Sequence, residues 1–535
     1  VLKNIFLLFV FFIKIAVVNA QQSYIPIEQE YVRNIERKIL KQGAATHTSI
    51  RPYLQSNLFD IAAVDSVISQ NIKLSTEAKR HSWLYRKLYK EHLLQYSDSL
   101  VQLSADVLYH LSISKDSDGE LLYTNTRGVQ LQGDLGSNFS FYTAFYENQA
   151  QFTDYLNDYI KQRGVVPGQG KARPHGEREY DYAIPYGYIS YTPSHWVNFQ
   201  LGQDKNFLGD GYRSLILSDF AYNYPFLKIS TSFWKIRYVN IWAQYMDISA
   251  GFKGTSYPKK YASYQYLSFL PNPKLNLSLF QSMIWVRDTA VNDGGIDLAK
   301  LNPVIFMNSM NFNEGSPANV TLGANLRYNL SNQYSVYGQF VLDDFHVAKL
   351  KEGEGFFQQK WGYQLGVKAF DLFSLPNLYA QLEYNTLKPY VHGHKDPRLS
   401  NTHFNEALAH PLGANFKEFI LIGGYQYKRL GLNMKLVGAQ YGADSAGLHW
   451  GKNIFLSDYD APNGELSFGN FTGQGISTRL YHYHTTLSYL LNPKTNMRAE
   501  VVYGRRIEET SQRSSSTQWV QVGLKTALTN RYYDF

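Results

Sequence analysis

Between residues 101 and 528, apolar and polar side chains alternate with a period of two. This constrains the fold more than any motif in the chain. Val320, Leu322, Ala324, Leu326, Tyr328 and Leu330 alternate with Thr321, Gly323, Asn325, Arg327 and Asn329. Trp361, Tyr363, Leu365, Val367 and Ala369 alternate with Gly362, Gln364, Gly366 and Lys368. Leu430, Leu432, Met434 and Leu436 alternate with Gly431, Asn433 and Lys435. Such a pattern marks extended strands with one apolar and one polar face. A membrane barrel with a lipid-facing band and a polar interior requires it. A soluble sheet solvated on one side shows it too, so periodicity alone leaves both open.

The connections decide between them. Eighteen candidate strands begin near residues 103, 122, 138, 183, 195, 226, 236, 260, 274, 318, 332, 358, 377, 416, 430, 477, 495 and 516. Every second connection is a tight turn, as at Gly136-Ser137, Trp234-Lys235, Ser331-Asn332, Lys428-Arg429 and Asn492-Pro493. The connections between them are mostly long: 150–182, 206–224, 288–316, 388–415 and 444–476. Short turns on one side and long loops on the other belong to outer-membrane barrels. The predicted fold class is therefore an all-β membrane protein, an 18-stranded antiparallel outer-membrane β-barrel. Its long loops are extracellular, and an even strand count puts both chain ends in the periplasm. A closed barrel also satisfies its backbone hydrogen bonds within lipid. Eighteen strands enclose a lumen wide enough for a channel unless something fills it.

Composition agrees. Charged residues are 18%, against about 25% in typical soluble domains. Tyrosine is the commonest aromatic, at 43 residues, and tyrosines and tryptophans near strand ends, such as Tyr191, Trp196, Trp285, Trp361 and Trp519, suit interfacial girdles. Mean hydropathy is −0.34, too polar for a bundle of membrane helices. The chain has no cysteine, which excludes disulfides, thiolate metal sites and thiol catalysis.

Before the barrel lie two further regions. Residues 1–20 read as a cleaved secretory signal peptide: Lys3, an apolar run from Ile5, then Asn19-Ala20. Residues 21–98 read as a small helical region on the periplasmic side. Tyr31, Ile35 and Ile39 recur every four residues, Gly43 stops that helix, and Ser75-Thr76 caps a second one containing Trp83, Leu84 and Leu88. This region is expected either as an appendage packed beneath the barrel or as a plug or docking surface. The barrel occupies 99–535. At its end Val520, Val522, Leu524 and Leu528 alternate cleanly, and Phe535 fits a terminal assembly signal only if a bulge restores the phase.

Three loop segments carry a resemblance. They are Gly202-Gln203-Asp204-Lys205-Asn206-Phe207-Leu208-Gly209-Asp210-Gly211-Tyr212-Arg213-Ser214, Asn302-Pro303-Val304-Ile305-Phe306 with Gly315-Ser316-Pro317, and His410-Pro411-Leu412-Gly413-Ala414-Asn415-Phe416. Together they resemble the Wzi-like capsule assembly family, in particular the Bacteroidetes branch that includes the gliding-motility protein RemB. The resemblance implies an eighteen-stranded outer-membrane barrel with a helical appendage. It also implies a lectin-like hold on surface polysaccharide, or a part in gliding.

Read as residues, Asp204, Lys205, Asp210 and Arg213 place fixed charges at the expected barrel mouth, with Tyr212 and Phe207 as stacking faces. They suit either a hydrogen-bonding rim for a glycan or a structural loop folded into the lumen. Trp450 and Tyr459 in the 444–476 loop are further stacking candidates. Lys161, Arg163, Lys171 and Arg173 form a basic loop suited to anionic capsule or lipopolysaccharide phosphates. His392, His394, His403 and His410 crowd one loop, but without metalloprotease spacing they are read as loop packing, and no metal site is assigned. Asp458, Asp460 and Glu465 lack the spacing of a calcium loop. Gly168-Gln169-Gly170-Lys171 is not a complete phosphate loop. No catalytic motif and no cofactor is assigned. The expected activity is non-catalytic polysaccharide binding. The expected partners are surface polysaccharide, outer-membrane lipids and lipopolysaccharide, with envelope proteins of the gliding or secretion machinery as further candidates and no nucleic acid. The alternatives are a structural part of gliding or surface-adhesion machinery, and a porin-like channel.

Overall fold

The computed structural model describes residues 22–61, 82–249, 251, 256–286, 299–307, 318–345, 349, 355–445, 447–462 and 467–535. The proposed signal peptide, the Ser75-Thr76 cap, most of the 288–316 loop and Glu465 lie outside the described residues.

Eighteen antiparallel strands close into one barrel. They are β1 (Val101–Asp116), β2 (Leu121–Leu135), β3 (Phe139–Gln151), β4 (Glu179–Ser194), β5 (Val197–Asp204), β6 (Tyr224–Phe233), β7 (Ile236–Met246), β8 (Lys259–Asn272) and β9 (Leu275–Val286). The second half comprises β10 (Ala318–Asn329), β11 (Tyr334–Asp344), β12 (Lys360–Phe370), β13 (Leu378–Leu387), β14 (Phe416–Tyr427), β15 (Leu430–Ala443), β16 (Ile476–Asn492), β17 (Met497–Thr510) and β18 (Ser514–Thr526). The barrel shuts where β18 pairs with β1, from Trp519↔Asp116 to Lys525↔His110. Beyond that seam the short strand Leu94–Ser97 takes over the free edge of β1.

The alternation seen in the sequence sets the two wall faces. On β10, Asn325 and Arg327 are buried in the lumen while Leu326 and Tyr328 are exposed. Exposed leucines and tyrosines in regular phase are costly in water. They are at home in hydrocarbon.

The lumen is filled. Helix α1 (Gln29–Gln42) starts where the Glu28 side chain accepts the N–H groups of Glu30 and Tyr31, and ends at Gly43 in the left-handed region. Its Tyr31, Val32, Ile35 and Ile39 pack on inward Leu108, Ala144 and Tyr146. Residues 22–58 thus form a plug inside the barrel and do not hang beneath it. Among the described residues before the barrel, α2 (Trp83–Tyr89) and the short strand stay at the rim, where the Asn492 amide donates to the Lys87 and Glu91 carbonyls.

Helix α3 (Asp154–Arg163) and the 205–223 loop fill the lumen from the end carrying the long loops. The final residues also turn inward. β18 stops at Thr526. Tyr532 then donates to Asp219 at 2.7 Å, and the Phe535 ring lies 4.9 Å from Tyr159 and 5.5 Å from Phe220. The phase slip before Phe535 is therefore the end of a strand. No bulge is present there, and Phe535 packs inside the barrel.

Candidate functional site

The 205–223 loop is held inside the barrel by backbone pairing and by close approach to the wall. Ile50 pairs with Leu208, and Arg51 with Phe207. Gly211 is needed because a Cβ there would sit 2.5 Å from Gln364 Oε1 and 2.7 Å from Glu383 Oε2.

Two buried charge networks tie this loop to the plug, the tail and the wall. In the first, Glu36 of α1 accepts from Lys368 of β12 at 2.6 Å and from Arg51 at 2.9 Å. Asp210 accepts from Thr48 at 2.6 Å, from Asn325 at 2.9 Å and from Arg327 at 3.4 Å. Burial alone would raise the Glu36 carboxyl. Lys368, Arg51 and Arg327 outweigh it and hold the group down at about 2. In the second network Arg213 pairs with Glu418 and with Asp534, each at 3.2 Å. Lys435 reaches Asp534 at 2.8 Å, the Tyr212 hydroxyl donates to Asp534 at 2.6 Å, and His410 pairs with Glu418 at 2.7 Å. Burial would likewise raise the Asp534 carboxyl, and Arg213 and Lys435 hold it well below the usual carboxylate range.

Asp210, Tyr212 and Arg213, expected at an open mouth, are thus buried with protein partners. The loop is the folded-in structural element that was the other expectation for it. Lys205 is also buried, donating to the carbonyls of Gly168 and Asp219 at 2.9 and 3.0 Å. Asp204 alone keeps its carboxylate on open space. Trp450 and Tyr459 are half-buried within the long-loop cap: the Trp450 indole donates to Ser445 at 3.3 Å, and the Tyr459 ring lies 5.7 Å from Phe357. Of the basic loop, Lys161 and Arg173 are exposed, Arg163 lies over the Phe455 ring at 4.1 Å, and Lys171 donates to Tyr257 at 2.8 Å. The histidines disperse: His392 faces the Leu215 carbonyl, His403 the Asn223 carbonyl and His410 the Glu418 carboxylate.

Two polar cavities flank the plug. One, about 340 Å³, runs along the inner wall of β1–β5 and is lined by Tyr142, Tyr186, Tyr188, Gln132, Asp134 and Asp204. The other, about 260 Å³, lies between α1 and the wall, with Arg33, Arg498, Lys525 and Arg531 facing Glu28 and Glu500. A larger concavity, about 1310 Å³, is on the outer wall among Leu279, Leu326, Val336, Leu365 and Leu382. It belongs to the hydrocarbon-facing belt. The inward tyrosines escaped the sequence reading. Their signal is Tyr180, Tyr182, Tyr186 and Tyr188 in one phase of β4, aromatic residues on the face that should be polar.

No family model matches this sequence, and no curated protein does. Among solved structures the fold is similar to Wzi of Escherichia coli, an outer-membrane protein involved in group 1 capsule assembly and a carbohydrate-binding β-barrel. That match has a TM-score of 0.55 and 12% identity, and covers 95% of this chain and all of Wzi. OprD of Pseudomonas aeruginosa is similar over 79% of this chain and 94% of its own, at 12% identity and a TM-score of 0.41.

Proposed function

We propose that this chain is an outer-membrane barrel that binds cell-surface polysaccharide noncovalently, with its short-turn end in the periplasm and its long loops outside. The observation that carries this reading is the filled lumen. Plug, folded-in loop and tail occupy the lumen and are locked there by buried ion pairs, and two polar clefts lie beside them. A binding role makes use of clefts and needs no pore. The likeness in fold to a carbohydrate-binding barrel over nearly the whole chain supports it. The basic loop with exposed Lys161 and Arg173 suits anionic groups of capsule or lipopolysaccharide at the outer surface. The wall requires outer-membrane lipid as its solvent.

A second reading has one observation in its favour. Trp83, Leu84, Leu94 and Tyr96 are all more than half exposed at the short-turn rim. Such a patch suits an envelope partner, as a structural part of gliding or secretion machinery would need.

Electrophoresis of the detergent-folded protein through gels containing native surface polysaccharide tests the first reading, paired with conductance in planar bilayers. Retardation without steady conductance is expected. Free migration with large ohmic steps would favour a porin, and free migration without conductance would favour the machinery component.

A further inference from the structure

We infer that the cavity along β1–β5 is a binding site for neutral, hydroxyl-rich sugar units, entered from the short-turn, periplasmic end of the barrel and closed inside at Asp204, so that it takes units of the polysaccharide on the periplasmic side of the membrane. This rests on the polysaccharide-binding reading and gives it a location and a ligand class.

The entrance is marked by Tyr96 of the short strand and by Pro493 in the β16–β17 turn. Gln132 and Asp134 of β2 follow, then Tyr142, Tyr188 and Tyr186 on neighbouring strands. Lys205 ends the cleft, its ammonium already satisfied by two carbonyls. At about 340 Å³ the space falls at the low end for ligand pockets, about 300–1,000 Å³, and suits a short stretch of sugar.

The lining chemistry identifies the ligand. Asp204 receives one side-chain hydrogen bond among the described residues, from the N–H of Lys205 at 2.7 Å. Its second oxygen has no partner there. The Tyr186 hydroxyl and the Gln132 amide also make no hydrogen bond among the described residues, although Tyr186 is buried. These groups border the cavity, so a ligand that supplies donors and acceptors can bond them, whereas an apolar one would strip them of water without replacing those bonds. Tyr142 and Tyr188, both in the lining, stack with centroids 5.7 Å apart at 28°. Aromatic faces beside a carboxylate and amides match the two sides of a sugar, apolar C–H faces and equatorial hydroxyls. Asp204 and Asp134 are in no ion pair among the described residues, and both repel an acidic sugar. Of the two lysines in the lining, Lys205 is taken up by two carbonyls and Lys494 stands beside Pro493 at the entrance, so inside the entrance the cleft favours neutral units.

The absence of cysteine from the chain allows a direct test. Mild-acid fragments of the producing cell's own surface polysaccharide are separated into neutral and acidic fractions. Each is titrated calorimetrically into the detergent-folded protein and into the Asp204→Asn, Tyr142→Ala and Gln132→Trp variants. In parallel, maleimide labelling of the Gln132→Cys thiol is timed with and without each fraction. The expected result is binding of the neutral fraction by the unaltered protein, weakened about tenfold or more in each of the three variants, with the thiol protected by that fraction. Neutral-fraction binding that all three variants retain, with the thiol labelled at an unchanged rate, would overturn the site and leave the polysaccharide reading standing. Binding of the acidic fraction alone would overturn the ligand class. No binding of either fraction by the folded, unaltered protein would overturn the polysaccharide reading itself and the site with it.

Discussion

Glu36 and Lys368 stand 332 positions apart in the chain and meet at 2.6 Å inside the barrel. One belongs to the plug helix and the other to the wall. Their contact makes the plug part of the folded barrel, since both charges are buried. A buried pair adds little net stability over an apolar equivalent, but breaking one side leaves a charge stranded.

Glu36→Ala removes the carboxylate partner of Lys368 and Arg51 and one of the two carboxylates beside Arg327. The expected cost is about 3–5 kcal/mol, read as a lower temperature for loss of the compact, heat-modifiable form on gels. A plug loosened in this way should also raise conductance in planar bilayers. An unchanged transition temperature would show that the cluster holds nothing.

The same group sets an acid limit. Its folded pKa, about 2, lies below the ordinary 4.5. The stabilisation is therefore complete above about pH 4.5 and lost as pH falls toward 2. A shift of that size corresponds to about 3 kcal/mol. Thermal melts from pH 6 down to pH 2 should show this loss, and Glu36→Gln should flatten the slope. A variant with the same acid slope as the parent would assign it to other carboxylates.

Asp534→Ala removes the counter-charge of Lys435, one of the two of Arg213, and the acceptor of the Tyr212 hydroxyl. About 3–5 kcal/mol of destabilisation is expected. Tyr532→Phe, which removes one hydrogen bond to Asp219, should cost about 1–3 kcal/mol. Denaturant melts of the two variants should rank in that order, and the reverse order would mean that the tail is held by its aromatic packing.

Arg213 and the basic loop should separate stability from binding. Arg213→Ala should destabilise, because its partners are buried. The double variant Lys161→Ala, Arg173→Ala should stay within about 0.5 kcal/mol of the parent in stability. That double variant should weaken binding to lipopolysaccharide, most clearly at low salt. Equal lipopolysaccharide binding at low salt would remove the basic loop from the account.

The wall was legible in the sequence and the filling was not. Val320 to Leu330 alternates over enough residues to fix both its strand and its lipid face, and the tight turns fixed the strand order. The plug leaves only a local trace. Tyr31, Ile35 and Ile39 announce a helix with a buried face, but nothing local says whether that face meets the lumen or the underside of the barrel. The deciding contacts, Glu36 to Lys368 and Arg33 to Asn433, join residues hundreds of positions apart. Asp210 and Arg213 looked like a charged rim because charged residues are mostly exposed. Their counter-charges come from Arg327, Glu418 and Asp534 on distant segments. Phe535 misled for a similar reason: a terminal aromatic after an alternating strand looks like its continuation, and its packing against Tyr159 and Phe220 has no mark in sequence phase.

The central claim is a plugged barrel that holds surface polysaccharide. Calorimetric titration of the detergent-folded, heat-modifiable protein with intact polysaccharide from the producing cell tests it most directly. Saturable heat, abolished by unfolding the protein, is the result expected. No heat of binding at any polysaccharide concentration, from protein shown to be folded, would contradict it.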